Sequence, residues 1–196
     1  LARRIVPFLK ANPGIEAGFT FSHELLKPLL ADDLDIIIDS KTHVRDDLMR
    51  FSLFRERYVL VAAPSLLAEQ HIDCLHDLER VPWLTTDAAG KWWQRLLVQL
   101  SDNTRLNPHR LVPVNHLRGM VQLAVSGLGV GLVPAYCVLN EVRTGLLRVL
   151  FHELQISEDR FYLYCRQQRC DNLKIQAFLA FMQNLKPEEL GEISHK

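Results

Sequence analysis

Six small polar residues stand where apolar runs of the chain give way to turns or helix starts: Ser22, Ser40, Thr85, Thr86, Asn115 and His116. Hydroxyl and amide groups of this kind, set beside the free backbone N–H groups of a helix N-terminus, hold a small anion such as a carboxylate. The chemistry they predict is recognition of a small acidic molecule. Each also has a plainer reading. Ser22 and Asn115 suit helix caps whether or not a ligand exists, Thr85 and Thr86 can simply end a strand, and His116 reads more readily as a surface residue at a helix start than as a ligand contact.

Other constellations carry less. Gly127, Gly129 and Gly131 alternate as in a nucleotide-binding loop, but that chemistry needs a strand before the glycines and a helix after them. Here the order is reversed. Asp32, Asp33 and Asp35 resemble a metal cluster, yet an apolar strand follows them in place of a ligand-bearing loop, so they read as a solvated turn. Trp92 and Trp93 would point about 100° apart on a helix, so at most one could face a ligand, and packing of one in the core is expected. Cys74, Cys137, Cys165 and Cys170 fall in no metal-ligand spacing and read as reduced, structural thiols, with a redox-sensing pair at 165 and 170 as the alternative. The eight histidines form no HExxH pattern, and no GxSxG elbow is present. No catalytic, cofactor or metal site is therefore assigned.

The elements that must position the six residues follow from periodicity and punctuation. At 196 residues, 48% hydrophobic and with 23 basic against 23 acidic side chains, the chain can bury a real core and shows no basic footprint for nucleic acid. A helix is predicted over 1–12, with Pro7 tolerable only in a first turn. A strand over 15–21, a helix capped by Ser22 through about Leu30, and a doubly buried strand over 35–39 follow, a βαβ pattern that requires parallel neighbours. Residues 58–63 form a strand that Pro64 ends before a helix at about 65–70. A second series then runs through a strand at 83–86, a helix at 92–100, a strand at 111–114 and a helix capped by Asn115 and ended by Gly127 and Gly129. The buried strand 130–133, a last strand at 161–165 and a closing helix over 172–185 complete it. Two separated series predict a bilobed α/β domain with hinges near 60–63 and 163–166. In such sheets ligands gather at the carboxyl ends of the strands, and that rule selects the six residues.

The stretch Gly127-Leu-Gly-Val-Gly-Leu-Val-Pro134, followed by LNEVRTGLLRVL (139–150), resembles the effector-binding domain of LysR-type transcriptional regulators. VPFLKANPGIE (6–16), LLADDLDIIID (29–39), FRERYVLVAAPSLLA (54–68) and HDLERVPWL (76–84) match further segments in the family's order. The resemblance implies a type 2 periplasmic-binding-protein-like fold, with lobe I formed by 1–61 and 165–196, lobe II by 62–164, and two crossover strands between them. It implies a small-molecule effector in the cleft, and DNA binding through an N-terminal winged helix-turn-helix domain absent from this chain. It also implies a homodimer or homotetramer, made by helices matching 1–10 and 117–126. The family carries a lobe I strand ahead of the first helix, and the chain is expected to begin after it, leaving a gap in that sheet. Without a signal peptide or an apolar run of roughly 18 residues, a cytoplasmic protein with no membrane contact is expected. The alternatives are a transporter's solute-binding protein and an enzyme on the same fold.

Overall fold

The computed structural model describes residues 2–22, 24–86, 88–100, 106–154, 156 and 159–185. In chain order the elements are α1 (Ala2–Ala11), α2 (Leu26–Leu30), β1 (Ile36–Asp39), β2 (Leu48–Glu56), β3 (Tyr58–Ala62), α3 (Pro64–Glu69), β4 (Pro82–Thr85), α4 (Lys91–Gln99), β5 (Arg110–Pro113), α5 (Leu117–Val125), β6 (Val130–Pro134), α6 (Leu139–Arg143), β7 (Arg148–Leu150), β8 (Asp159–Arg166) and α7 (Leu173–Gln183). The chain forms two compact units, one from residues 1–55 with 159–194 and the other from 56–158. The sequence reading sets these joins after residues 61 and 164.

The first unit has a three-stranded sheet in the order β1-β8-β2. Leu163 and Cys165 of β8 pack on Ile175, Leu179 and Met182 of α7 on one face, and Ile37 and Tyr164 pack on Leu29 and Leu48 on the other. The alternation of side chains along a strand produces this two-sided core. Phe8 of α1 stacks on Phe181 at 4.6 Å and meets Phe178 edge-on at 5.6 Å, which docks α1 on α7. Pro7 lies inside α1, well past its first turn. The expectation that it must lie in that turn fails, and the helix that carries it is docked by the Phe8 ring contacts.

Three further expectations for this unit are corrected. Residues 15–22 carry neither helix nor strand, and Phe19 and Phe21 are 58% and 96% exposed. An extended segment needs a neighbour for its N–H and C=O groups, and among the described residues β1 is hydrogen-bonded on one side only, antiparallel to β8 with Ile37 opposite Tyr164. The parallel pairing is therefore not made. Ser22 does not cap α2, since its Oγ closes a local turn by accepting from the Glu24 N–H at 3.1 Å while the helix begins at Leu26. Asp32 and Asp35 are not merely solvated: Arg166 reaches Asp32 at 2.8 Å, and Arg169 reaches Asp32 at 3.4 Å and Asp35 at 3.3 Å. The cysteine reading also changes. Cys165 and Cys170 form a disulfide, because the 3-10 turn Gln167–Arg169 brings their Cα atoms within 6.6 Å, while Cys74 and Cys137 are free.

The second unit has a five-stranded sheet in the order β5-β4-β6-β3-β7, with β4 parallel to β5 and β6, and β3 antiparallel to β6 and β7. Trp83 stacks on Trp93 at 4.2 Å on one face, and Met120, Val121 and Ala124 of α5 cover Val61, Leu84 and Val133 on the other. Both tryptophans are buried, and each indole donates to a backbone carbonyl, Trp83 to Leu78 and Trp93 to Leu84, both at 2.8 Å. α5 ends in a Schellman motif: the Gly127 N–H bonds to the Ala124 carbonyl and that of Leu128 to Leu123, with Gly127 at φ +79°. Gly129 serves a different purpose. A Cβ there would lie 3.0 Å from the carbonyl carbon of Pro82 and closer still to its oxygen, so only glycine lets β6 pass β4. The glycine alternation is thus structural.

Candidate functional site

In the second unit the carboxyl ends of β4, β5 and β6 lie together with the start of β3, since Tyr58 is opposite Pro134 and Thr85 is opposite Pro113. The Val114 N–H donates to the Thr85 carbonyl at 2.7 Å, and the Ala135 N–H to the Arg57 carbonyl at 2.7 Å. These bonds fix the residues that follow each strand. Thr86 is half-buried just beyond Thr85, and Asn115 and His116 are exposed just beyond Val114. Thr85 itself is only 1% exposed, so its side chain belongs to the packed end of the sheet.

The helix cap differs from the sequence reading. His116, not Asn115, is the N-cap of α5, its Nδ1 accepting from the Gly119 N–H at 3.3 Å. The imidazole takes the place of the usual oxygen acceptor. Asn115 is left one residue ahead of that cap, and it is exposed.

Sequence reasoning missed a set of ionisable side chains around the same strand ends. Glu56 and Tyr58 are both buried, and the Tyr58 hydroxyl donates to Glu56 at 3.1 Å. Tyr136 follows β6. Burial, Cys137 and Glu56 all push its phenol above its ordinary range. Burial also pushes the Cys137 thiol up to about 12, against which a hydrogen bond from Tyr136 works, so Cys137 is an inert thiol at neutral pH. Arg118, in the first turn of α5, donates to the buried Glu141 of α6 at 2.7 Å. Glu56 ends β2 and Tyr58 opens β3, with Arg57 between them, so the pair arises at a break between two strands that apolar alternation does not announce.

The first unit places Ser40 directly after Asp39 at the end of β1. The loop there is braced by the Lys41 N–H on Asp39 Oδ1 at 3.0 Å, by His43 on Asp39 at 2.9 Å, and by the Tyr164 hydroxyl on the Lys41 carbonyl at 3.0 Å. Lys41 also reaches Glu24 at 3.4 Å, which brings the Ser22 turn beside Ser40. The six selected residues thus fall into two sets, Ser22 and Ser40 in one unit and Thr85, Thr86, Asn115 and His116 in the other. Both sets are neutral hydrogen-bonding groups. Among the described residues no three His, Cys, Asp or Glu side chains gather to hold a metal ion, and no helix is long and apolar enough to cross a membrane.

A family model described as the LysR substrate binding domain matches residues 1–186. The glycine cleavage system transcriptional activator of Escherichia coli K12 is 29% identical over 179 residues, covering 91% of this chain and 58% of that protein. The chain therefore spans little more than half the length of this curated relative. Among solved structures, CrgA, a LysR-type transcriptional regulator from Neisseria meningitidis, superposes with a TM-score of 0.77 at 23% identity over 97% of this chain and 64% of that one. Full-length LysG from Corynebacterium glutamicum with bound effector Arg gives 0.69 at 16% identity over 91% and 61%.

Proposed function

The chain belongs to the LysR substrate-binding domain family, with its periplasmic-binding-protein-like α/β fold, and from that premise we propose that it senses a small, acidic effector for a longer LysR-type DNA-binding regulator. The observation that supports the effector site most directly is the cluster at the strand ends of the second unit, where Thr86, Asn115 and the capped N-terminus of α5 offer hydrogen-bond donors to an anion. Thr85 and His116 support this set through backbone and cap. The role is binding without conversion.

Because a ligand acts only through unequal affinity for two states, the reading requires two arrangements of the regulator, reported by a winged helix-turn-helix domain of the longer protein to DNA. Oligomerisation would use α1, where Val6 is exposed, and α5, just beyond which Leu128 is exposed, in a two-fold isologous contact. A monomer at micromolar concentration in analytical ultracentrifugation would contradict that part. The effector site is tested by a thermal-shift screen of small carboxylic acids. A ligand at a hundredfold its Kd stabilises by about 2.7 kcal/mol, a rise of roughly 5–11 °C for a chain of this size. Asn115→Ala and Thr86→Ala should each remove that rise, and an unchanged rise in both rejects the site.

A further inference from the structure

The bridged cysteines close a loop that carries two guanidinium groups. Cys165 is fully buried among Leu163, Ile175, Leu179 and Met182, whereas Cys170 is half-buried. Between them Arg166 donates to the Leu30 carbonyl at 3.1 Å and to Asp32 at 2.8 Å, and Arg169 reaches Asp32 and Asp35. The residues so held, 30–35, form the turn that feeds β1, and β1 delivers Asp39 and Ser40. We propose that Cys165 and Cys170 are a reversible thiol–disulfide switch: closed, the bridge fixes Arg166 and Arg169 on the turn ahead of β1, and open, it releases them.

Three observations carry this. The apolar packing of β8 on α7 surrounds Cys165 with side chains whose contacts do not depend on the bridge, so the unit keeps its core in the dithiol state. Cys170 is the accessible member, so it is the sulfur that a small disulfide can reach first. In the dithiol state its sulfur, 3.3 Å from the Arg166 carbonyl, has a ready acceptor for its S–H. The remaining thiols do not compete, because both Cys74 and Cys137 lie in the other unit. Reversibility rests on the reading of the chain as part of a DNA-binding regulator, since the compartment that holds DNA keeps thiols reduced and makes a disulfide there a transient one.

The oxidant is a low-molecular-weight disulfide. The Cys170 thiolate attacks one of its sulfurs, breaking that S–S bond, forming a mixed disulfide and expelling one small thiolate. Cys165, on losing its proton, attacks Cys170 Sγ and expels the second small thiolate. The protein gives up two protons and two electrons, and the small disulfide becomes two thiols. Excess small thiol runs the same steps backwards.

The test uses the whole chain in glutathione buffers of set ratio, with iodoacetamide labelling under denaturing conditions, mass spectrometry and limited trypsin digestion. Oxidised glutathione should protect Cys165 and Cys170 from labelling and leave Cys74 and Cys137 reactive, and reduced glutathione should restore all four. Trypsin should cut after Arg166 and Arg169 roughly tenfold faster in the reduced protein, as expected when a short closed loop restrains local opening. Cys170→Ser and Cys165→Ala should cut at the fast rate in both buffers. If a variant does not fold, the two wild-type buffers alone decide. A bridge that never forms, one that persists in excess reduced glutathione, or equal cutting in both buffers overturns the switch. None of these readouts needs the effector or DNA, so their failure is separate from failure of the effector screen.

Discussion

Three glycines two residues apart should respond to the same substitution in three different ways. In Gly129→Ala the new methyl meets Pro82, its Cβ 3.0 Å from the carbonyl carbon and nearer to the oxygen. β4 and β6 are hydrogen-bonded neighbours at this point, with Trp83 opposite Val130, so relief requires parting two central strands. Overpacking costs about 1–3 kcal/mol and occasionally more. With backbone as the obstacle the upper end applies, about 3 kcal/mol, or a fall in Tm of roughly 6–12 °C. Gly127→Ala places an L side chain at φ +79°, at a cost of about 1–2 kcal/mol, and its nearest neighbour, Ser65 Oγ at 3.0 Å, can rotate away. In Gly131→Ala the methyl finds Val133, Val61 and Ala124 at 3.5–3.8 Å, ordinary contact, so the change should stay within about 0.5 kcal/mol. Urea unfolding followed by tryptophan fluorescence measures all three, because Trp83, Trp92 and Trp93 all lie in this unit. A Gly131→Ala loss equal to that of Gly129→Ala would refute the close approach of β6 to β4 as the reason for glycine there.

Two further outcomes follow from hydrogen bonds already described or adjoining them. Asp77 accepts from the backbone N–H groups of Asp73 and Cys74 at 2.8 Å each and pairs with Arg80, which holds its carboxyl at about 2 against an ordinary 3.8. A folded-state value below the unfolded one gives stability that is present above pH 4 and lost as pH falls towards 2. Asp77→Asn should therefore narrow its stability gap to wild type over that interval, and a gap constant down to pH 2 in urea titrations would reject the assignment. Trp93→Phe removes the buried indole donor to the Leu84 carbonyl, at a cost of about 1 kcal/mol in the same urea assay. No measurable loss would mean that this oxygen is satisfied elsewhere.

The second unit was legible because its signals are local. Pro64 at the start of α3, the apolar face of α5, the glycine after it and the uninterrupted apolar run of β6 each lie within a few residues of the element they define. The first unit was less so, because its strands find partners far along the chain. β1 looks ready for parallel neighbours by composition, yet it is bonded to β8 more than a hundred residues away. Among the described residues 15–21 pairs into no sheet despite its apolar alternation. β2 and β7 were not foreseen, since their exposed arginines blur the apolar alternation. At the candidate site the strand-end rule selected Thr86 and Asn115, which do follow the ends of β4 and β5, but the cap of α5 falls on His116 and not on Asn115. The Cys165–Cys170 pairing depends on a 3-10 turn that spacing alone does not announce.

The second unit is an unbroken insertion within the first. Roughly 120 residues separate the end of β1 from the start of β8. At ribosomal rates of about 5–20 residues per second, Ile36, Ile37 and Ile38 wait some 6–24 s for their hydrogen-bonding partner to emerge, while the insertion already has its full complement of strands. The nascent chain therefore presents an apolar ribbon to the cell before its mate exists. Chaperone occupancy mapped along the translating chain should peak in that window.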